Sequence, residues 1–307
     1  MTKDLLTLAS FPDEDFFKVL ERAALLKALK LKGEERSTLK GRTLAMIFEK
    51  SSTRTRVSFE AGITQLGGHA IFLSSADTQI GRGEEVRDTA RVLSRYVDAI
   101  MVRTYRQESV EVMAKFATVP VINGLTDMHH PCQVLADLLT IKEKLGSLKG
   151  MKLAYIGDGN NMANSLIEGS AKAGMDIALA CPEGYDPDSG ILAWAKEKGM
   201  AGGTSVQLVR DPIAAASGAD VLYTDVWASM GQESEKASRE KHFRGFQINA
   251  ELLSIAKPGA IVLHCLPAHR GEEITDEAME GKNSAVFDQA ENRLHVQKAL
   301  LELLITG

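Results

Sequence analysis

The chain has 307 residues, 44% hydrophobic and 25% charged, with 36 Lys and Arg against 41 Asp and Glu for a formal net charge of -5. This composition excludes disordered, collagen-like and low-complexity architectures. The acidic balance excludes a broad nucleic-acid surface but leaves room for a local basic pocket that takes a small anion.

No apolar run approaches the ~18 residues of a bilayer span. The opening MTKDLLTLASFPDED carries no basic-then-apolar leader, so no signal peptide is expected. Three widely spaced cysteines, Cys132, Cys181 and Cys265, read as a reduced, cytoplasmic protein rather than a disulfide framework. At about 100–200 residues per domain the length suggests two domains.

The first expected element is a helix capped by Ser10, with Pro12 in its first turn and a stripe of Phe16, Phe17, Leu20, Ala23, Ala24 and Leu26. The apolar run 43–48 reads as a buried strand. Residues 53–66 follow as a helix stopped by Gly67 and Gly68, and 69–73 is another strand. Strands at 99–102 and 119–122 flank a helix at 108–116, and a longer helix covers about 132–145. After a polar break come strands at 153–156, 177–180, 221–223, 260–264 and 285–287, then a helix at 295–305. Strands alternating with helices imply parallel sheets covered on both faces, hence two α/β domains with a boundary between 130 and 150. Ligands of such sheets bind beyond the carboxyl ends of the strands.

Several polar clusters stand at those ends. Ser51-Ser52-Thr53-Arg54-Thr55-Arg56 follows one strand and opens a helix, whose free N–H groups and dipole suit an oxyanion. Its guanidiniums can grip phosphate or carboxylate, whereas a capped helix with solvated arginines is the plainer reading. It is not a Walker loop, because no glycines precede it. Arg103 follows the next strand, and His129-His130-Pro131-Cys132-Gln133 supplies an imidazole and a carboxamide able to donate to a carbonyl.

Gly157-Asp158-Gly159 resembles the start of a dinucleotide fingerprint, but Met162 occupies the third glycine position and Cys181-Pro182 stands where an acidic ribose ligand belongs. What remains is a tight turn bearing the amides of Asn160 and Asn161. Asp225 follows a strand and could pair with an ammonium group or simply cap a helix. His264-Cys265-Leu266-Pro267 tempts a metal reading, yet alternation along a strand sends His264 and Cys265 to opposite faces, so no metal is expected.

Taken in order, Ser-Thr-Arg-Thr-Arg (52–56), His-Pro-Cys-Gln (130–133), Asp-x-x-x-Ser-Met-Gly (225–231) and His-Cys-Leu-Pro (264–267) resemble the aspartate/ornithine transcarbamylase family, on its ornithine-using side. The resemblance covers essentially the whole chain. It implies two doubly wound parallel-sheet α/β domains joined by interdomain helices: 1–132 for carbamoyl phosphate, 133–290 for ornithine, and a C-terminal helix at 291–307 that returns to the first domain. The implied reaction moves the carbamoyl group from carbamoyl phosphate to the side-chain amine of L-ornithine, giving L-citrulline and phosphate in arginine biosynthesis, with no metal or organic cofactor.

The resemblance also assigns residues. Ser52, Thr53, Arg54, Thr55 and Arg103 hold the phosphate, with Gln79 reaching a neighbouring subunit's site. Thr55, Arg103, His130, Gln133, Cys265, the Leu266 backbone and Arg293 address the carbamoyl group. Asn161, Asp225, Ser229 and Met230 bind ornithine. The catalytic set is Arg103, His130, Asp225 and Cys265. The implied assembly is a homotrimer with shared active sites, with no nucleic-acid or membrane partner.

Overall fold

The computed structural model describes residues 3–34, 36–74, 83–228 and 233–306; Gln79, Ser229 and Met230 lie outside the described residues. The chain forms two compact units, Met1–Leu139 with Glu291–Gly307, and Thr140–Ala290.

In the first unit, helix α1 (Asp13–Leu31) packs Phe16, Leu20, Ala23 and Leu26 into the core, while Phe17 and Ala24 of the expected stripe are exposed. Its N-cap is Pro12, without a side-chain cap. Ser10 instead closes a turn with Thr7, its N–H donating to Thr7 Oγ1 at 3.1 Å. Strand β1 (Thr43–Phe48) matches the apolar run and is buried beyond its first residue. Helix α2 (Thr53–Gln65) leads to β2 (His69–Ser74), then α3 (Val86–Leu93), β3 (Ala99–Arg103), α4 (Gln107–Phe116), β4 (Val121–Leu125) and α5 (Pro131–Leu145).

The sheet order is β2-β1-β3-β4, all parallel. β4 starts at Val121 rather than 119, since Pro120 has no N–H to give a ladder. The β3–β4 register shifts between Val102 and Arg103, an irregularity of the kind that re-aims a side chain at a strand end. Gly124 permits it: a Cβ there would stand 2.4 Å from Met101 Sδ. The 291–307 stretch is tied to this unit by Arg22–Glu302, Lys27–Asn292 and Lys298–Gln65 contacts at 2.6, 2.8 and 3.1 Å.

The second unit alternates β5 (Lys152–Ile156), α6 (Asn161–Ala173), β6 (Asp176–Ala180), α7 (Ser189–Gly202), β7 (Val206–Val209), α8 (Pro212–Ala216) and β8 (Val221–Thr224). Next come α9 (Lys236–His242), α10 (Ala250–Ile255), β9 (Ile261–His264), α11 (Asp276–Glu280) and the start of α12 (Val286–Thr306), whose residues from Glu291 onward belong to the first unit. The order is β7-β6-β5-β8-β9, again parallel. Small residues such as Ala154, Ala178, Ala215 and Ala260 share its core with Ile156, Leu222 and Val262.

The expected strand at 285–287 is corrected. Val262 bridges Ser284 once and accepts from the Ala285 N–H, and helix α12 begins at Val286. Edge strand β7, only half-buried, has too little apolar pattern to be read from sequence. Among the described residues no helix is long and apolar enough to cross a membrane.

Both sheets reverse their winding at a strand whose neighbours belong to opposite directions. The switch points lie between β1 and β3 in the first sheet and between β5 and β8 in the second. In open α/β sheets ligands bind at such points, beyond the carboxyl ends of the strands. The loops after β1, β3, β5 and β8 are therefore where chemistry is expected.

Candidate active site

In the first unit, Ser52 is the N-cap of α2, its hydroxyl accepting from the Thr55 N–H at 3.2 Å. Thr53 and Arg54 are exposed at this helix terminus, and Thr55 is fully buried. Two guanidiniums reach Thr55 Oγ1: Arg293 at 2.9 Å and Arg103 at 3.4 Å. An oxygen that accepts from both arginines keeps its own proton to donate onward. Arg293 also donates to Gln133 Oε1 at 2.7 Å, and Gln133 Nε2 donates to Asp137 at 2.8 Å. Arg56 turns away to Glu60 at 3.0 Å and stacks on Phe72 at 3.8 Å. The cationic cluster is thus Arg54, Arg103 and Arg293, drawn from three elements rather than from the 51–56 run alone.

His130 is buried at the entry to α5, set there by a turn in which the Thr126 N–H donates to the His129 carbonyl at 2.8 Å and the Thr126 hydroxyl accepts the His129 N–H at 3.0 Å. Burial, then the charges of Arg293, Arg103 and Arg54, hold its imidazole well below the ordinary histidine range. The ring is neutral at pH 7 and offers one donor without adding charge. Below about pH 6.5 the unfolded chain binds a proton that the folded ring refuses, so this contribution to stability falls as pH drops. His130→Gln is expected to flatten the decline of the thermal midpoint between pH 7.5 and 5.5. A decline as steep as that of the parent chain contradicts this.

Polar braces beside this cluster escaped the sequence reading. Thr104 donates to Glu49, and buried Lys50 pairs with Asp127 while lying over the Tyr105 ring at 4.5 Å. They link the ends of β1, β3 and β4. Only spatial proximity reveals such pairs, which are 55 and 77 residues apart.

In the second unit, Asp225 follows β8 and is 6% exposed. Its Oδ1 accepts from Cys265 Sγ at 2.9 Å and from the Val226 N–H at 2.8 Å, and its Oδ2 accepts from Asn160 Nδ2 at 2.9 Å. Asn160 also caps α6, its Oδ1 accepting from the Met162 and Ala163 N–H groups. Asn161 sits beside it at the first helical position, half-buried. The sequence reading named Asn161; Asn160, which orients Asp225, was seen only as part of the turn.

Gly159 explains the failed dinucleotide fingerprint. A Cβ there would lie 2.2 Å from the Pro187 nitrogen and 2.6 Å from the Tyr185 carbonyl, so this glycine serves packing of the turn. Asp158 is held by Arg239 at 2.8 Å, which also donates to the Trp227 carbonyl at 2.9 Å and to Glu235 at 2.9 Å. Burial pushes the Asp158 carboxyl up to about 6, against the pull of Arg239.

One expectation is reversed. The donor atoms of Asp225, His264 and Cys265 lie within 4.8 Å of one another. Strand alternation does not separate them, because β9 ends at His264 and Cys265 is already in the loop. Both nitrogens of His264 are engaged within the protein, Nδ1 by the Leu266 N–H at 2.9 Å and Nε2 by Glu273 at 3.1 Å.

A neutral donor beside a cationic helix terminus can hold a small anion and polarise a carbonyl, and a buried carboxylate paired with a thiol can orient an amine. Each is a means of group-transfer chemistry. Comparison with known proteins agrees. Residues 3–143 match the family model "Aspartate/ornithine carbamoyltransferase, carbamoyl-P binding domain", and residues 149–304 match "Aspartate/ornithine carbamoyltransferase, Asp/Orn binding domain". The chain belongs to the aspartate/ornithine carbamoyltransferase family.

It is 57% identical over 305 residues to an ornithine carbamoyltransferase of Syntrophus aciditrophicus, covering 99% of this chain and 100% of that protein. It is 54% identical over 305 residues to an anabolic ornithine carbamoyltransferase of Pyrococcus furiosus, covering 99% and 97%. The solved structure of an ornithine carbamoyltransferase from Pyrococcus furiosus superposes with a TM-score of 0.96 at 54% identity, covering 99% of this chain and 97% of that one.

Proposed function

We propose that the chain transfers the carbamoyl group of carbamoyl phosphate to the side-chain amine of L-ornithine, releasing L-citrulline and phosphate. The observation that carries this reading is the convergence of Arg103 and Arg293 on the Thr55 hydroxyl, beside a neutral His130 and the Ser52-capped helix terminus. In it, Ser52, Thr53, Arg54, Thr55 and Arg103 take the phosphate. Thr55, Arg103, His130, Gln133, Cys265, the Leu266 backbone and Arg293 address the carbamoyl group. Asn161, Asp225, Ser229 and Met230 take ornithine, and Gln79 serves a neighbouring subunit.

The amine nitrogen attacks the carbamoyl carbon and forms a C–N bond, while charge gathers on the carbonyl oxygen. The bond from that carbon to the phosphate oxygen then breaks, the electron pair leaves with phosphate, and the proton lost by the nitrogen ends on the released phosphate. Donors fixed in advance around the oxygen stabilise it more than water does, because they need not reorganise. With an amine pKa near a lysine's 10.4, deprotonation at pH 7 costs about 4–5 kcal/mol. Desolvation lowers that cost, and the Asp225–Cys265 pair directs the nitrogen. The biosynthetic direction is supported by the name of the anabolic relative. A homotrimer and a cytoplasmic setting are part of this proposal, supported by the sequence resemblance and by three free cysteines.

Ornithine-dependent release of phosphate and citrulline in equal amounts from carbamoyl phosphate tests the reading; phosphate release indifferent to ornithine contradicts it. Asp225→Asn removes the charge from a hydrogen bond to an ammonium or amine, worth about 1.5–3 kcal/mol. The expected outcome is kcat/KM for ornithine lowered tenfold or more, with KM for carbamoyl phosphate within a factor of about three. Equal losses toward both substrates make Asp225 structural.

A further inference from the structure

Strand β9 ends at His264, and the chain then turns through Cys265 and Leu266. Leu266 has φ +60°, and no other described non-glycine residue has a positive φ. Side-chain-bearing residues rarely adopt that conformation, so surrounding contacts must hold it.

The contacts come from a buried His–Glu pair. His264 Nδ1 accepts the Leu266 N–H at 2.9 Å, and His264 Nε2 stands 3.1 Å from Glu273 Oε1. A nitrogen that accepts an N–H carries no proton, so the ring proton belongs on Nε2 and points at the carboxylate. The same Glu273 oxygen accepts the His269 N–H at 2.5 Å. Neither side chain is exposed. The 266–269 segment is therefore pinned at its first residue by the imidazole and at its last by the carboxylate. His264 is itself fixed through its N–H to Gln289 Oε1 at 2.9 Å, and Gln289 donates to the Tyr223 hydroxyl at 3.0 Å.

We infer that His264 and Glu273 are positioning residues for the transfer reaction. Through the Leu266 N–H they set the Leu266 backbone, and they hold Cys265 where its thiol meets the Asp225 carboxylate. His264 acts as a neutral Nε2–H imidazole that accepts a backbone hydrogen bond, and is neither an acid, a base nor a metal ligand. This rests on the assignment of Asp225, Cys265 and Leu266 to the substrates.

Two substitutions separate the two ends of the ring. In His264→Asn the side-chain oxygen lies near the position of Nδ1 and can still accept the Leu266 N–H, while the link to Glu273 is lost. In His264→Gln the amide reaches toward Glu273, while the Leu266 acceptor is lost. Misplacement by about 1 Å can cost about 100-fold in rate, so kcat in His264→Gln is expected to fall by that factor. In His264→Asn the expected fall is less than about tenfold, an order of magnitude smaller. The thermal midpoints of the two variants are expected to be close to each other. A merely structural histidine makes activity follow stability; equal kcat in both variants, or a deeper loss in Asn, overturns the proposal.

A measurement on the unaltered chain stands beside these variants. Solid-state NMR of protein carrying 15N-histidine, with His264 assigned by difference from whichever variant folds, is expected to show a bare Nδ1 and a protonated Nε2. A protonated Nδ1 overturns the inference even if both variants lose activity. If the parent chain makes no citrulline from ornithine, the proposed function fails and the proposal with it, whatever the tautomer.

Discussion

Arg103→Ala is expected to lower kcat by about 10²–10³, the loss typical of removing one fixed donor to a developing oxyanion and equivalent to about 2.7–4 kcal/mol. Arg103 is 7% exposed at the end of β3, beside the register shift that leaves Gly124 of β4 unpaired, and donates to Thr55 Oγ1 at 3.4 Å. Stability is expected to change little or to rise. Arg103, Arg293 and Arg54 stand close enough for all three to depress the same imidazole, so removing one positive charge relieves repulsion. A bound anion stabilises only the form that binds it, by RT ln(1 + [L]/Kd). Inorganic phosphate is therefore expected to raise the thermal midpoint of the parent chain and to do so less in the variant. Unchanged kcat with an unchanged phosphate response excludes Arg103 from the anion pocket.

Arg239→Ala is the largest expected stability loss. Its guanidinium is buried against Asp158, with side-chain exposures of 8% and 9%, and it lies over the Tyr185 ring at 5.0 Å. Removing one partner leaves the other charge buried without compensation, which costs about 3–5 kcal/mol. It also releases the Trp227 carbonyl and Glu235, described residues on either side of 229–232.

The pH dependence has a definite sign. The folded Asp158 carboxyl titrates at about 6, above its ordinary value of 3.8, so its contribution is fully present below the lower value and is lost as pH rises through the higher one. Without Arg239 the carboxyl is driven further up, and protonation offsets the missing charge. The gap in urea midpoint between variant and parent is therefore expected to narrow from pH 7.5 to 5. A gap that is absent, or constant with pH, contradicts the account of this pair.

Much of the fold was legible because parallel strands buried on both faces are written as apolar runs. Residues 43–48 were read with the bounds that β1 takes, and polar clusters directly after strands marked the switch-point loops. What failed did so for local reasons. Ser10 is a good capping residue, but its hydroxyl is engaged with Thr7 and the helix begins after Pro12. Residues 285–287 look strand-like because Ala285 and Val286 are buried, yet they lead into α12.

For the site, residues adjacent in sequence were the visible part. The Ser-Thr-Arg-Thr-Arg run overstated Arg56, which faces Glu60 and Phe72. Arg293 was named only through the family resemblance, since a lone arginine in a helix carries no signal until folding sets it on Thr55 and Gln133. Asn160, Lys50 and Glu273 act through partners 65, 77 and 9 residues away, and no spacing rule joins such pairs.

The most direct measurement is a citrulline-type product assay on the purified chain with carbamoyl phosphate, running ornithine, putrescine, N-acetylornithine and aspartate in parallel. The account predicts that ornithine has by far the highest kcat/KM of the four, with carbamoylated product and phosphate in equal amounts. A higher kcat/KM for putrescine, N-acetylornithine or aspartate contradicts the assignment of Asn161, Asp225, Ser229 and Met230 to ornithine, and no product from any of the four contradicts the proposed function itself.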